Sequence, residues 1–241
     1  MPNRLGYCGP DENEVMLESC AKNRPNARLL EVLRGFHGAY PYLCFLAEHN
    51  RSGDPFDYQV TEAYWIGNNL LQDIPPDAFY KHLQKRFSAK FPREHVKNFF
   101  KTRPYASFPH HSLHVFNAFS TMGTVPDDFA SGIGPDDKVG QLMDKCRISW
   151  GRIVDVQEQD FTVEYEPVVR QNGKLALGPP TRTKLARHVD GTTLLPDAGP
   201  GDWVSAHWGL ACEVLSPVQV EDLKTYTLAS MRLANTVPVP E

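Results

Sequence analysis

Cys146-Arg147-Ile148-Ser149-Trp150-Gly151-Arg152-Ile153-Val154 is the stretch on which the fold turns. From Ile148 to Val156 apolar and polar residues alternate with the period of two that a half-buried strand needs. Further short strands are expected over Phe161 to Val169, Lys174 to Leu177 and Thr183 to Val189, with Asn172-Gly173 as a hairpin turn. Gly201-Asp202 starts another strand over Trp203 to His207, and Leu210 to Leu215 follows. Ser216-Pro217 opens a last helix with Val220, Leu223, Tyr226, Thr227 and Met231 along one side. Short strands followed by one helix predict a small OB-like β-barrel with a C-terminal helix over residues 143–241.

Upstream the grammar is helical. Leu29, Leu30, Val32, Leu33 and Phe36 recur at helical spacing ahead of Ala39 and Leu43, with Asn26 as a cap and Pro41 as a kink or stop. Asp54-Pro55 opens a second helix through Val60, Tyr64, Ile66, Leu70 and Leu71, and Pro75-Pro76-Asp77 starts a third. Pro92 opens a short fourth, and His110 to Phe119 reads as a short aromatic helix. Residues 123–141 are rich in Gly, Pro and Asp, which reads as an acidic connector. The expected class is therefore α+β: a helical domain over 1–135, a connector at 136–142 and the barrel with its helix over 143–241.

Composition removes several function classes. The 241 residues carry 25 Lys plus Arg against 29 Asp plus Glu, a net charge of −4, which argues against a general nucleic-acid binder. No stretch approaches the roughly 18 apolar residues of a membrane span, and Met1-Pro2-Asn3-Arg4 precedes no apolar signal core. No membrane partner and a cytoplasmic setting are expected. The five cysteines, Cys8, Cys20, Cys44, Cys146 and Cys212, are odd in number and widely spaced, so a disulfide framework is not expected. There is no Cys-x-x-Cys, no His-Glu-x-x-His, no Walker loop and no nucleophile elbow.

The stretch from Cys146 to Val154 resembles the opening of the HypC/HupF [NiFe]-hydrogenase maturation chaperones, which place a cysteine, three residues, Pro and Gly before a β-run. Cys146 matches the family cysteine and Gly151 its glycine. Gly201-Asp202-Trp203-Val204-Ser205-Ala206-His207-Trp208-Gly209-Leu210-Ala211 resembles the family's second motif, Gly-Asp-Tyr-Val-x-x-His-x-Gly-Phe-Ala. Three features depart from that pattern: Cys146 is internal, Trp150 replaces the proline, and the stretch from Val168 to Pro180 is long for the family's hairpin. The resemblance implies a chaperone that partners a HypD-like maturation protein or the hydrogenase large subunit. It implies that such a protein handles an Fe(CN)2CO unit, with Cys146 and His207 as the cofactor-binding residues and Cys146 as the iron contact. A thiolate suits that role, being a soft ligand that can also let go by exchange.

The helical half adds Pro109-His110-His111-Ser112-Leu113-His114. On a helix His110 and His114 are i, i+4 and His111 and His114 are i, i+3, so either pair could chelate zinc, non-haem iron or haem iron. The plainer reading is that these histidines cap the helix or sit exposed. A third ligand would come from His37, read as lying in an apolar helix between glycines, from Glu62 or from His82. Tyr64, Trp65, Asn68 and Asn69 put polar groups beside aromatics and are candidates to line a pocket. Lys81, Lys85, Arg86, Lys90, Arg93, Lys97, Lys101 and Arg103 form a basic run, read as a solvated face or as a docking surface for an acidic protein.

Three functions compete on these grounds. The first is a maturation chaperone acting through Cys146. The second is a metal- or haem-binding enzyme in the helical half that supplies a ligand such as CO. The third is a cofactor-free scaffold. If Cys146 lies near the histidine cluster, a mixed Cys/His iron site spanning both halves becomes the better reading.

Overall fold

The computed structural model describes residues 12–22, 26–88, 107–118 and 135–236. It is a mixed α+β chain with N-terminal helices, a sheet-rich middle and a C-terminal helix. The N-terminal helices are α1 (Asn13–Lys22), α2 (Ala27–Arg34), α3 (Tyr40–His49), α4 (Tyr58–Trp65) and α5 (Pro76–Ser88), with a 3₁₀ turn over Asn69–Leu71. A short helix, α6 (His111–Leu113), runs into a π-helical turn, His114–Ala118. Then come α7 (Pro135–Cys146), nine strands and α8 (Pro217–Ala234).

Local chemistry explains the boundaries. The Asn26 side chain accepts from the Leu29 N–H and starts α2 as expected. The long first helix of the sequence reading is two helices instead, because the chain turns between Gly35 and Ala39. Pro41 begins α3 rather than kinking it, since its missing N–H costs nothing in a first turn. Asp57, not Asp54, caps α4. Residues 136–142 of the stretch read as a connector lie in α7, while 123–134 lie outside the described residues: Pro135 and the acids behind it suit a helix start, and Leu142, Met143 and Cys146 bury one side. The helix expected at Pro92 and the basic run beyond residue 88 lie outside the described residues.

The strands are β1 (Ser149–Val156), β2 (Asp160–Tyr165), β3 (Val168–Gln171), β4 (Lys174–Leu177), β5 (Thr181–Ala186), β6 (His188–Val189), β7 (Thr192–Thr193), β8 (Trp203–His207) and β9 (Leu210–Leu215). Five of them pair in a closed ring, β1-β2-β5-β9-β8, in which the β5–β9 link is the single parallel pair Ala186↔Leu210. The strand expected over Phe161 to Val169 breaks at Pro167, and β3 pairs with β4 outside the ring. Asn172 and Gly173, both at positive φ (53° and 75°), make the expected hairpin turn between β3 and β4.

Ile153, Phe161, Val163, Leu185, Val204, Ala206 and Ala211 fill the strand core. Tyr42, Leu46, Val60, Tyr64, Phe79 and Leu83 fill the helical core. Helix α8 joins the two: Tyr226 and Leu233 pack into the helical core, while Val220 and Leu223 pack with Ile148, Trp150 and Leu215 of the strand half. Tyr226 sets a tight condition on the loop after α4. Gly67 sits at φ +102°, and a Cβ there would lie 2.2 Å from the Tyr226 ring.

Candidate metal centre

The C-terminal end of α7 builds the site. A helix leaves its last carbonyls without intrahelical partners. Here the Lys145 carbonyl accepts from the Trp208 N–H at 2.9 Å, and the Cys146 carbonyl is bonded to His111 Nε2 at 2.8 Å. The first bond brings in the β8–β9 turn and the second brings in α6. Three distant pieces of chain thus meet at one helix end. Trp208 holds φ +53° in that turn, an uncommon conformation for a bulky residue, and Gly209 follows at +76°.

The α7 end is itself tied down. The Arg147 side chain is buried, its Nε lies 3.0 Å from Asp144 Oδ1, and its guanidinium donates to the Glu166 carbonyl. Asp144 also accepts from the Tyr165 hydroxyl at 3.1 Å and the Val168 N–H at 2.8 Å. On the other side α6 is pinned to α8. Ser112 Oγ lies 3.1 Å from Thr227 Oγ1, and Asn117 donates to the Ser230 carbonyl at 3.1 Å.

The result is a compact donor set. One ring nitrogen of His111, one of His207 and the Cys146 sulfur all lie within 4.8 Å of one another. His111 and Cys146 are buried and His207 is half-buried. The two imidazoles meet nearly at right angles, with centroids 5.6 Å apart and 88° between planes. The Trp65 ring lies beside both, 4.7 Å from His111 and 6.2 Å from His207. His207 Nε2 is buried and has no hydrogen-bond partner among the described residues.

The protonation state suits ligation. A carbonyl only accepts, so His111 Nε2 carries the proton and Nδ1 carries the lone pair. Burial, and then the neighbouring His207, hold His111 well below the usual histidine range, against a weaker opposing pull from the Cys146 carbonyl. The ring is neutral at physiological pH, as a metal ligand must be. One thiol and two imidazoles form a soft-to-borderline set that fits iron, zinc or cobalt and leaves a position open at a four-coordinate ion.

A family of unknown function, DUF6390, matches residues 1–241. The chain belongs to this family. No curated protein matches the chain, and no solved structure matches it. Among the described residues no helix is long and apolar enough to cross a membrane.

Of the site residues expected from sequence, Cys146, His207 and His111 come together. His110 and His114 stand outside this group. His110 is the N-cap of α6, its Nδ1 accepting from the Ser112 N–H, and its ring stacks on Tyr226. His114 lies where the helix turns π, 6.3 Å from the Tyr42 ring. His37 is a correction: it is exposed in the turn between α2 and α3, not in an apolar helix, because Gly35 ends α2. Its carbonyl receives Arg86, whose guanidinium also covers Tyr42 at 4.5 Å, so this member of the basic run is a structural pin. Glu62 bonds Asn68 and Gln219, and His82 packs against Phe45 and Tyr42. Sequence reading missed the Asp144–Arg147–Tyr165 tie, for which the i, i+3 spacing of Asp144 and Arg147 was the available signal.

Proposed function

We propose that this chain is a metal-handling accessory protein of [NiFe]-hydrogenase maturation. It holds one iron unit as cargo, Fe(CN)2CO in the fullest form of the reading, between Cys146, His207 and His111. The observation that carries it is the convergence of those three donors at the α7 end, within 4.8 Å of one another. The resemblance of the Cys146 and Gly201-to-Ala211 motifs to HypC/HupF chaperones supplies the pathway, a HypD-like protein or the hydrogenase large subunit as partner, an OB-like barrel and a cytoplasmic setting. Cys146 loses its thiol proton to solvent on loading and binds as thiolate, while both imidazoles bind neutral. The buried face of the site keeps water from competing, and the exchangeable thiolate allows hand-over.

The test uses the full chain. Anaerobic Fe(II), and Co(II) as a spectroscopic probe, bind with one-to-one stoichiometry and give a thiolate-to-metal absorption band. Cys146→Ala removes the band, and His207→Ala and His111→Ala each weaken binding by about tenfold or more. In cells of a hydrogenase-producing host, Cys146→Ala lowers hydrogenase activity. A wild-type chain that binds no metal, with in-cell activity untouched by Cys146→Ala, overturns the reading and leaves a cofactor-free scaffold.

A further inference from the structure

We propose that the open edge of β5 and the cavity beside it bind an extended peptide segment of a partner protein, one in which acidic and apolar residues alternate. Strand β5 pairs with β2 along its whole length, from Asp160↔Ala186 to Tyr165↔Thr181, one residue to one. On its other edge it meets β9 at Ala186↔Leu210 alone, where the Ala186 N–H donates to the Gly209 carbonyl at 2.8 Å. Backbone groups of alternate residues in a strand point to the same edge. The N–H and C=O of Lys184 and Arg182 therefore point the way of Ala186 and away from β2. No strand among the described residues covers them. A cavity of about 600 Å³ opens there, lined by Thr183 to Leu185, by Trp208 and Gly209 of the β8–β9 turn, and by Val163 and Ala206 of the strand core. None of the three metal donors lines it, so the site is independent of the metal-handling reading.

The chemistry of β5 selects the guest. A strand laid on this edge alternates its side chains between two faces, as β2 does. On one face β2 sets the buried Phe161 and Val163 opposite Leu185 and Thr183, so guest residues on that row are apolar. On the other face stand Arg182 and Lys184, both exposed. There β2 answers with Glu164 opposite Arg182 and with Asp160, whose carboxylate lies 3.1 Å from Lys184 Nζ. A guest that continues these rows places acids beside the two cations, and an exposed ion pair such as Lys184–Asp160 is readily shared. A second copy of this chain is a poor guest, because edge-to-edge pairing sets Arg182 and Lys184 against themselves.

The probe is acetyl-Val-Glu-Val-Glu-Val-amide, titrated into the ¹⁵N-labelled full chain. Saturable binding that shifts the Arg182 and Lys184 amides and protects them from exchange is expected. Lys in place of both Glu of the peptide turns attraction into repulsion and weakens binding by about tenfold. N-methylation of the three central peptide amides removes the strand donors and abolishes binding. The double variant Arg182→Glu, Lys184→Glu reverses the preference between the Glu and Lys peptides. In the unliganded chain the Arg182 and Lys184 amides exchange fast and those of Thr183 and Leu185 slowly. Protected Arg182 and Lys184 amides without peptide overturn the proposal, whether this chain or a second copy covers the edge. So does failure of the Val/Glu peptide to bind, or equal binding of all three peptides. The exchange and peptide measurements use the unaltered chain and decide the matter if the double variant does not fold.

Discussion

His111 performs two tasks with one ring: Nε2 bonds the Cys146 carbonyl at the end of α7, and the ring brings a nitrogen to within 4.8 Å of Cys146 Sγ and a His207 nitrogen. The sequence shows three histidines in five residues but not which one matters. A helical wheel assumes a uniform pitch. Here His110 has extended backbone as a cap, and the helix changes to π at His114, so the expected i, i+4 and i, i+3 pairs do not form a common site. Gly67 is a second residue whose role only the fold reveals. Gly67→Ala meets both a left-handed φ and the Tyr226 ring at 2.2 Å, and a loss of about 2 kcal/mol or more is expected. Gly53→Ala, at φ +73° with nothing within 4 Å, shows the cost of backbone alone, about 1 kcal/mol. Urea unfolding of the two variants separates these terms, and equal losses would refute the steric part.

At the scale of elements, α7 and α8 decide where the donors lie. Composition made residues 136–142 look like a connector because Gly, Pro and Asp favour turns. The same Pro and Asp also suit the first turn of a helix, and an apolar side to bury selects that outcome. Asp144 on α7 neutralises the buried Arg147 and accepts two further bonds. Asp144→Ala leaves a buried cation without its carboxylate, for an expected loss of about 3 kcal/mol, and weakens metal binding by loosening the Cys146 turn. Denaturant melts and Co(II) titration check this, and a variant with wild-type values in both contradicts it. Helix α8 starts on a reciprocal capping box between Ser216 and Gln219. Ser216→Ala should cost about 1 kcal/mol, visible as a shift in urea midpoint without a change in slope. The β3–β4 hairpin was legible from one dipeptide, Asn172-Gly173, whose turn chemistry is local.

For the whole molecule, a metal ion would clamp α6, α7 and the β8–β9 turn together. Loading at a hundredfold excess over Kd should stabilise the chain by about 2.7 kcal/mol, raising Tm, with reversal by chelator. Cys146→Ala should abolish that rise. Acid acts in the opposite sense. Burial brings His110 down to about 4, opposed only weakly by the Ile66 backbone, and brings His82 to about 4, with Arg86 adding to the effect. Both rings protonate more readily in the unfolded chain. Stability of the metal-free protein is therefore full above about 6.5 and falls as pH drops toward 4, on the order of 3 kcal/mol for His110. His110→Asn keeps a side-chain cap acceptor and should flatten that fall, and an unchanged pH profile would contradict the assignment.

By itself the sequence determined a helical first part and a strand-rich second part closed by a helix, the hairpin at Asn172-Gly173 and the cap at Ser216, while Cys146 and His207 became candidates through their resemblance to family motifs. The first three depend on periodicity or on neighbours within a few residues. Only the tertiary structure decided that His111 rather than His110, His114 or His37 joins them. That choice follows from long-range needs no local pattern records: two open carbonyls at the end of α7 to be bonded, and one helix, α8, packed against both halves.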